Sequence, residues 1–283
     1  MLSLITITSN INKIMYHTIN IPDTISEKIL IAEALDKTLC YVTVDSVFLN
    51  PSNMNDNPLQ ILNIVLSQGS LQIHFIIKDL ILKFFTVIPN VTCKLYDYTF
   101  TEKALKDGNL YLLLLVKGIP PIYMQKDSAL QQYSNPVILM KLTQKAEKRY
   151  NRFINNALAL SDGILYYLEN REFQHAAALI FQYLQVLFQV CNEIFTGKQH
   201  LEGSLIEWQA SINSYRPGFV KLFEPNNKKD SILASKLLKS YSDTCFNSEI
   251  RFIFPALNDF YIKTEQFYMD VFDMVRSHFV IES

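Results

Sequence analysis

Residues 150–200 read YNRFINNALALSDGILYYLENREFQHAAALIFQYLQVLFQVCNEIFTGKQH, and this stretch decides the fold. Apolar residues fall at Phe153, Ile154, Ala157, Leu160, Ile164, Leu165 and Leu168. They fall again at Ala176, Ile180, Tyr183, Leu184, Leu187, Cys191 and Ile194. Both sets step by three or four, which puts each on one face of a helix. The spacing predicts one helix over Tyr150–Glu169 and a second over Phe173–Phe195. Glu169-Asn170-Arg171-Glu172 is a turn so short that the two helices must run antiparallel.

Working outward, helical patterns continue over Leu201–Ile212, Lys229–Phe246 and Pro255–Phe279, with a loop at Tyr215-Arg216-Pro217-Gly218. From Pro136 onward the chain reads as helices only, and residues 127–148 lead into them. The N-terminal side is different. Ser26–Lys37 reads as a short helix, and Leu39–Leu49 as a strand ending in the turn Asn50-Pro51-Ser52-Asn53. Leu59–Leu66 is a second strand, residues 73–85 have helical spacing, and Val91–Tyr98 is a third strand. A helix over Thr101–Gly108 is expected to be capped by Thr101 and broken at Gly108. Leu110–Val116 fits strand or helix, and Pro120-Pro121 precedes an extended Ile122-Tyr123-Met124. The predicted organisation is a lead over 1–23, a small-sheet domain over 24–126 and a helical bundle over 127–283. The fold class is α+β.

Composition narrows the function classes. Hydrophobic residues make up 49% of the 283, enough for a sizeable core, and the 19% charged fraction argues against a disordered chain. With 26 basic and 27 acidic residues, no basic excess calls for a polyanion. Seven glycines leave little for phosphate loops, and no GxGxxG or GxxxxGK[ST] pattern occurs. Cys40, Cys93, Cys191 and Cys245 are far apart in apolar runs, so buried free thiols in a reducing cytoplasm are expected. Met1–His17 lacks a basic segment ahead of an apolar one, so no signal peptide is expected. The apolar run Leu110–Val116 is too short to span a membrane, and no membrane partner is expected.

Several residues are candidates for chemistry. His17, His74, His175, His200 and His278 form no HExxH or Cys/His cluster, so neither a metal nor a cofactor is expected. His74 reads as a core or boundary histidine. Arg171 and His175, four apart at the start of the second hairpin helix, suit a phosphate, or simply a solvated helix start. Gln182, Gln185 and Gln189 share one flank of that helix. Amides there read base edges or cap carbonyls, or form an ordinary polar face or a dimer seam. Lys228 and Lys229 open a helix and suit a phosphate, or a solvated loop.

The C-terminal half resembles a HEPN domain (higher eukaryotes and prokaryotes nucleotide-binding). The resemblance runs over roughly 145–250. It rests on Phe153, Ala157, Leu165-Tyr166-Tyr167-Leu168-Glu169, Phe173-Gln174-His175-Ala176-Ala177, Gln182, Thr196-Gly197, His200-Leu201 and Ser204-Leu205. It continues through Leu222-Phe223-Glu224-Pro225-Asn226-Asn227 and Leu237–Asp243. It implies an up-down helical bundle, a homodimer, and a ligand cleft lined by the second hairpin helix and His200. The N-terminal half is more weakly similar to the minimal nucleotidyltransferase fold that often precedes HEPN domains. That fold needs a Gly-Ser turn, an Asp-x-Asp strand and a third acid to hold magnesium. Here the turn is Asn50-Pro51-Ser52, the second strand is Gln60-Ile61-Leu62-Asn63-Ile64-Val65, the third carries Lys94, and Asp56 stands alone.

The Arg-x4–6-His motif of HEPN ribonucleases is also absent. No arginine among 149, 152, 171, 216, 251 and 276 is followed by histidine at that spacing. Ser242-Asp243-Thr244-Cys245-Phe246 stands in its place, and the family's glutamate on the second helix is Gln185. No catalytic residue is therefore assigned. The expectation is a non-catalytic dimer that binds a nucleotide, an RNA or a protein through Gln182, Gln185, Gln189, His200, Arg171, His175, Lys228 and Lys229. The alternative is a divergent ribonuclease or nucleotidyltransferase of a bacterial defence or toxin–antitoxin system.

Overall fold

The structure is a computed structural model, and it describes residues 19–51, 60–68, 75–224, 226–243 and 250–279. His17, Asp56, His74, Pro225 and Cys245 lie outside the described residues. The fold is mixed α+β with one small mixed sheet. The chain divides into two compact units. One comprises the residues up to Thr99 with Ile119–Leu130, the other Phe100–Gly118 with the residues from Gln131. Residues 100–118, read in sequence as part of the N-terminal domain, thus belong with the helices.

In the first unit, α1 (Lys28–Tyr41) buries Ile31, Ala34, Leu35 and Thr38. The Thr38 hydroxyl donates to the Ala34 carbonyl at 2.8 Å, so it needs no further partner in the core. Strands β1 (Val44–Pro51), β2 (Gln60–Leu66), β3 (Val91–Asp97) and β4 (Tyr123–Met124) form a sheet in the order β3-β2-β1-β4. β1 pairs antiparallel with β2 and β4, and β2 pairs parallel with β3. A parallel pair needs a crossover, and α2 (Phe75–Thr86) supplies it. Val47, Leu49, Leu62, Ile64 and Leu66 pack with Ile31, Leu35, Ile81 and Phe85 in one core. The strand expected over Leu39–Leu49 starts only at Val44. Its first residues finish α1, because Leu35 and Thr38 continue the buried face of that helix. Cys40 falls on the outer face of α1 and is exposed, contrary to the buried thiol expected there. Cys93 is half-buried and Cys191 buried.

The second unit holds α3 (Tyr98–Lys106), α4 (Leu110–Gly118), α5 (Pro136–Glu169), α6 (Phe173–Thr196), α7 (Leu205–Tyr215), α8 (Lys228–Ser242) and α9 (Phe254–Phe279). Thr101 sits inside α3 rather than capping it, since the helix starts three residues earlier. Leu110–Val116 is helical, with Leu110, Tyr111, Leu112, Leu113 and Leu115 buried. The run shows no helical periodicity because the helix is covered nearly all round. α5 is far longer than expected. Asn135 caps it by accepting from the Val137 N–H at 2.9 Å, and Pro136 occupies the first turn.

The hairpin turns as predicted. Arg171 adopts φ 63°, the Glu172 N–H reaches the Tyr167 carbonyl (2.8 Å), and the Arg171 N–H reaches Leu168 (3.2 Å). This is a Schellman closure with arginine where glycine is usual. Fifteen of the twenty-four residues of α6 are buried, so it is the central strut of the bundle. Its length and apolarity also suit a membrane span, but 67% of that window is covered by the rest of the bundle, as in a core helix. Ring contacts Tyr150–Phe279 and Phe173–Phe254 lay α9 antiparallel to α5 and parallel to α6. α6 ends at Gly197 (φ 72°), where a Cβ would stand 3.0 Å from the Tyr111 ring. α7 starts at Leu205, four residues later than the sequence suggests, behind a capping box formed by Ser204 and Glu207.

Candidate functional site

A groove of about 720 Å³ opens in the helical unit between the end of α6, the α7–α8 loop and the last turns of α9. Its walls carry Ile194, Phe195, Arg216, Pro217, Gly218 and Phe219 on one side. On the other are Asp270, Asp273, Met274, Ser277 and His278. The volume falls within the range of small-molecule sites.

Local sequence explains each wall. Arg216 caps α7, its N–H bonding the Ile212 carbonyl at 3.0 Å. Pro217 and Gly218 (φ 71°) then turn the chain, and the Phe219 N–H returns to the Arg216 carbonyl at 3.2 Å. The turn lays the Arg216 guanidinium 4.6 Å from the centroid of the Phe219 ring. No carboxylate among the described residues lies within ion-pair distance of it. Lys221 reaches the same loop, its Cε 3.7 Å from where a Cβ on Gly218 would stand. Phe219 is edge-on to Phe195 at 6.1 Å, and Phe195 stacks parallel to Tyr215. One wall is therefore cationic on an aromatic floor.

The opposite wall is acidic. Asp270, Asp273 and Ser277 follow i, i+3, i+7 spacing and share one face of α9. Asp270 accepts from Gln266 Nε2 at 3.2 Å, and the Ser277 hydroxyl donates to the Met274 carbonyl at 2.7 Å. Among the described residues Asp273 has no hydrogen bond or ion pair. Burial lowers the pKa of His278, so its imidazole is neutral at pH 7.

The sequence-predicted residues lie elsewhere. Gln182, Gln185 and Gln189 are half-buried along α6, and His200 is exposed in the loop beyond it. The groove takes Ile194 and Phe195 from α6 but none of these four. Arg171 and His175 do not share a helix face: Arg171 is the left-handed residue of the turn, outside α6. His175 instead stacks on Tyr167, with centroids 5.0 Å apart, and its Nδ1 lies 3.3 Å from Glu172. Lys228 and Lys229 are exposed in the first turn of α8, and the Asn227 side chain already accepts from the Lys229 N–H at 3.0 Å. Asp230 faces the same helix start and accepts from the Glu224 N–H at 2.6 Å. The groove residues escaped sequence reading because Arg216 and His278 are distant in the chain. The visible signals were the Arg-Pro-Gly-Phe turn and the acidic i, i+3 pair on the last helix.

A second polar cluster is structural. Glu193 of α6 is 1% exposed. It receives Arg149 Nη2 at 2.7 Å and the Tyr150 hydroxyl at 2.9 Å, and Arg149 Nη1 donates to the Asp107 carbonyl at 3.0 Å. Asn109 Nδ2 donates to the Gly197 carbonyl at 2.8 Å. These bonds pin the α3–α4 connection to the hairpin. Burial, then the Glu193 charge, raises the Tyr150 phenol well above its ordinary value, so it stays a donor.

In the sheet unit, Asp45 is displaced by a register shift in β1 between Val44 and Ser46. Its carboxylate accepts from the Ser128 hydroxyl at 2.8 Å, and burial raises its pKa. Asp97 ends β3 opposite Leu66, across β2 from the Asp45 end of β1, and lies 3.5 Å from Lys78. Gln60 and Asn63 of β2 are buried. Among the described residues no three of His, Cys, Asp or Glu come together as metal ligands.

Comparisons with protein-family models, curated proteins and solved structures find no match to this chain.

Proposed function

We propose that this chain is a non-catalytic nucleotide-binding protein, with a degenerate nucleotidyltransferase-like unit followed by a HEPN-like helical unit that dimerises in the cytoplasm. The observation that carries the reading is the groove holding Arg216 over Phe219. An unpaired guanidinium on an aromatic ring suits a phosphate attached to a stacking base. The acidic wall of α9 opposes a continuous phosphodiester chain, so a mononucleotide fits better than an RNA strand. The test is a thermal-shift panel of nucleotides and short oligonucleotides on wild type and Arg216→Ala, beside a mass measurement in solution. A shift with mononucleotides that Arg216→Ala removes supports the reading. No shift with any of them, from a protein that still captures a protein partner, replaces it with a purely regulatory role.

One observation favours a second reading, a divergent ribonuclease or nucleotidyltransferase of a bacterial defence or toxin–antitoxin system. Arg216 and His278 line the same groove, and a neutral imidazole is able to accept a proton. RNA cleavage by pure protein, lost in His278→Ala, would establish it.

A further inference from the structure

The two walls of the groove differ in charge, and the difference has a chemical consequence. Arg216 and Lys221 flank the aromatic side, while Asp270 and Asp273 stand on α9 opposite. A ligand that satisfies both walls has an anionic group at one end and hydrogen-bond donors at the other. A carboxylate accepts but never donates, so the donors must come from the ligand. Among the nucleobases, guanine alone offers two adjacent donors on its pairing edge, N1–H and the exocyclic amine, spaced to meet both oxygens of one carboxylate. Adenine and cytosine place an acceptor beside their amine, and that acceptor meets a carboxylate with repulsion. Uracil flanks its one N–H with two carbonyls. Asp273 is free among the described residues to accept both bonds, whereas Asp270 already accepts one from Gln266.

We infer that the groove selects a guanine nucleotide, its phosphate on Arg216 and its base edge on an α9 carboxylate, foremost Asp273. This rests on the nucleotide-binding reading above and names the base it takes. The two bonds to a charged acceptor form in an open groove, where water competes for both partners, so the discrimination is moderate.

The experiment is isothermal titration of the full chain with GMP, IMP and AMP. IMP differs from GMP only by the missing amine. Wild type, Arg216→Ala, Asp273→Asn and Asp270→Asn are compared, with circular-dichroism melts to establish that each is folded. The expected result is GMP bound about tenfold more tightly than IMP or AMP. Asp273→Asn brings GMP down to the level of IMP and strengthens AMP, because the repulsion of adenine's ring nitrogen is removed and the amide supplies a donor to it, while Arg216→Ala weakens all three. If Asp270→Asn erases the preference instead, guanine selection stands and Asp270 is the reader. Equal binding of the three nucleotides, all weakened in Arg216→Ala, overturns the guanine assignment while nucleotide binding survives. A GMP-to-IMP ratio unmoved by either aspartate variant also overturns it. Failure of every nucleotide to bind removes both the inference and the reading beneath it.

Discussion

Glu193 in the helical unit and Asp45 in the sheet unit are both nearly inaccessible, at 1% and 5% exposure, yet they are compensated differently. Glu193 has a guanidinium at 2.7 Å and a phenol at 2.9 Å. Asp45 has the Ser128 hydroxyl at 2.8 Å and, among the described residues, no cation as a partner. A guanidinium offsets the cost of burying a carboxylate, whereas hydroxyls offset less of it, and Asp45 accordingly binds its proton more readily than a free carboxylate. The helical unit thus uses its buried charge as a clamp, and the sheet unit carries a titratable strain.

The largest effect should come from breaking the clamp. Arg149→Met keeps an unbranched apolar side chain but removes the guanidinium, which lies 5.8 Å from the centroid of the Phe153 ring, and leaves Glu193 buried without its cation. The Arg149 side chain retains 24% exposure, so the loss should lie at the lower end for a buried pair, about 3 kcal/mol by urea denaturation. The double variant Arg149→Met, Glu193→Gln should recover most of it, because no charge then remains buried. If the double variant is as unstable as the single, the clamp works by packing and the contrast with Asp45 fails. Tyr150→Phe comes next. It removes one donor from a buried charged acceptor and should cost about 2 kcal/mol, measured in the same way.

These clamps were not legible in sequence, and the reason is physical. The hairpin was, since Ala157, Ile164 and Leu168 repeat at the helical period and face the core. A central helix such as α6 still shows that period because polar Gln182, Gln185 and Gln189 mark its less buried flank. α4 does not, because burial on nearly all sides erases the alternation. Adjacency in sequence alone groups residues 100–118 with the sheet, although packing places them with the helices. The groove was hidden for another reason. Its charges come from a loop and a distant helix, and only the tertiary fold sets Arg216 across from Asp273.

The helical unit also tolerates a backbone cost at the hairpin. Arg171 holds φ 63°, a region that disfavours any residue with a Cβ. Arg171→Gly should stabilise the protein by roughly 0.5–1 kcal/mol, the relief being partly offset by the greater freedom of glycine in the unfolded chain. A loss of stability instead would mean that the arginine side chain contributes more than its backbone costs.

The smallest effect probes Asp45 and is distinguished by its dependence on pH. Burial, opposed by bonds from Ser128, Ser46 and Ala129, raises its folded-state pKa above the 3.8 of the free group. Above the raised value the carboxylate is charged in both states, and the burial penalty is present in full. As pH falls through the folded-state pKa towards 3.8, the folded protein takes up the proton first, so acidification relieves the penalty. Asp45→Asn cannot titrate there. The variant should therefore compare most favourably with wild type at neutral pH, and its advantage should shrink as the solution is acidified, becoming constant below 3.8. Groups that titrate alike in both proteins cancel in the difference, so paired urea melts across that range isolate Asp45. A difference that does not change with pH would mean that the hydroxyl and amide donors around Asp45 compensate its charge as fully as Arg149 compensates Glu193.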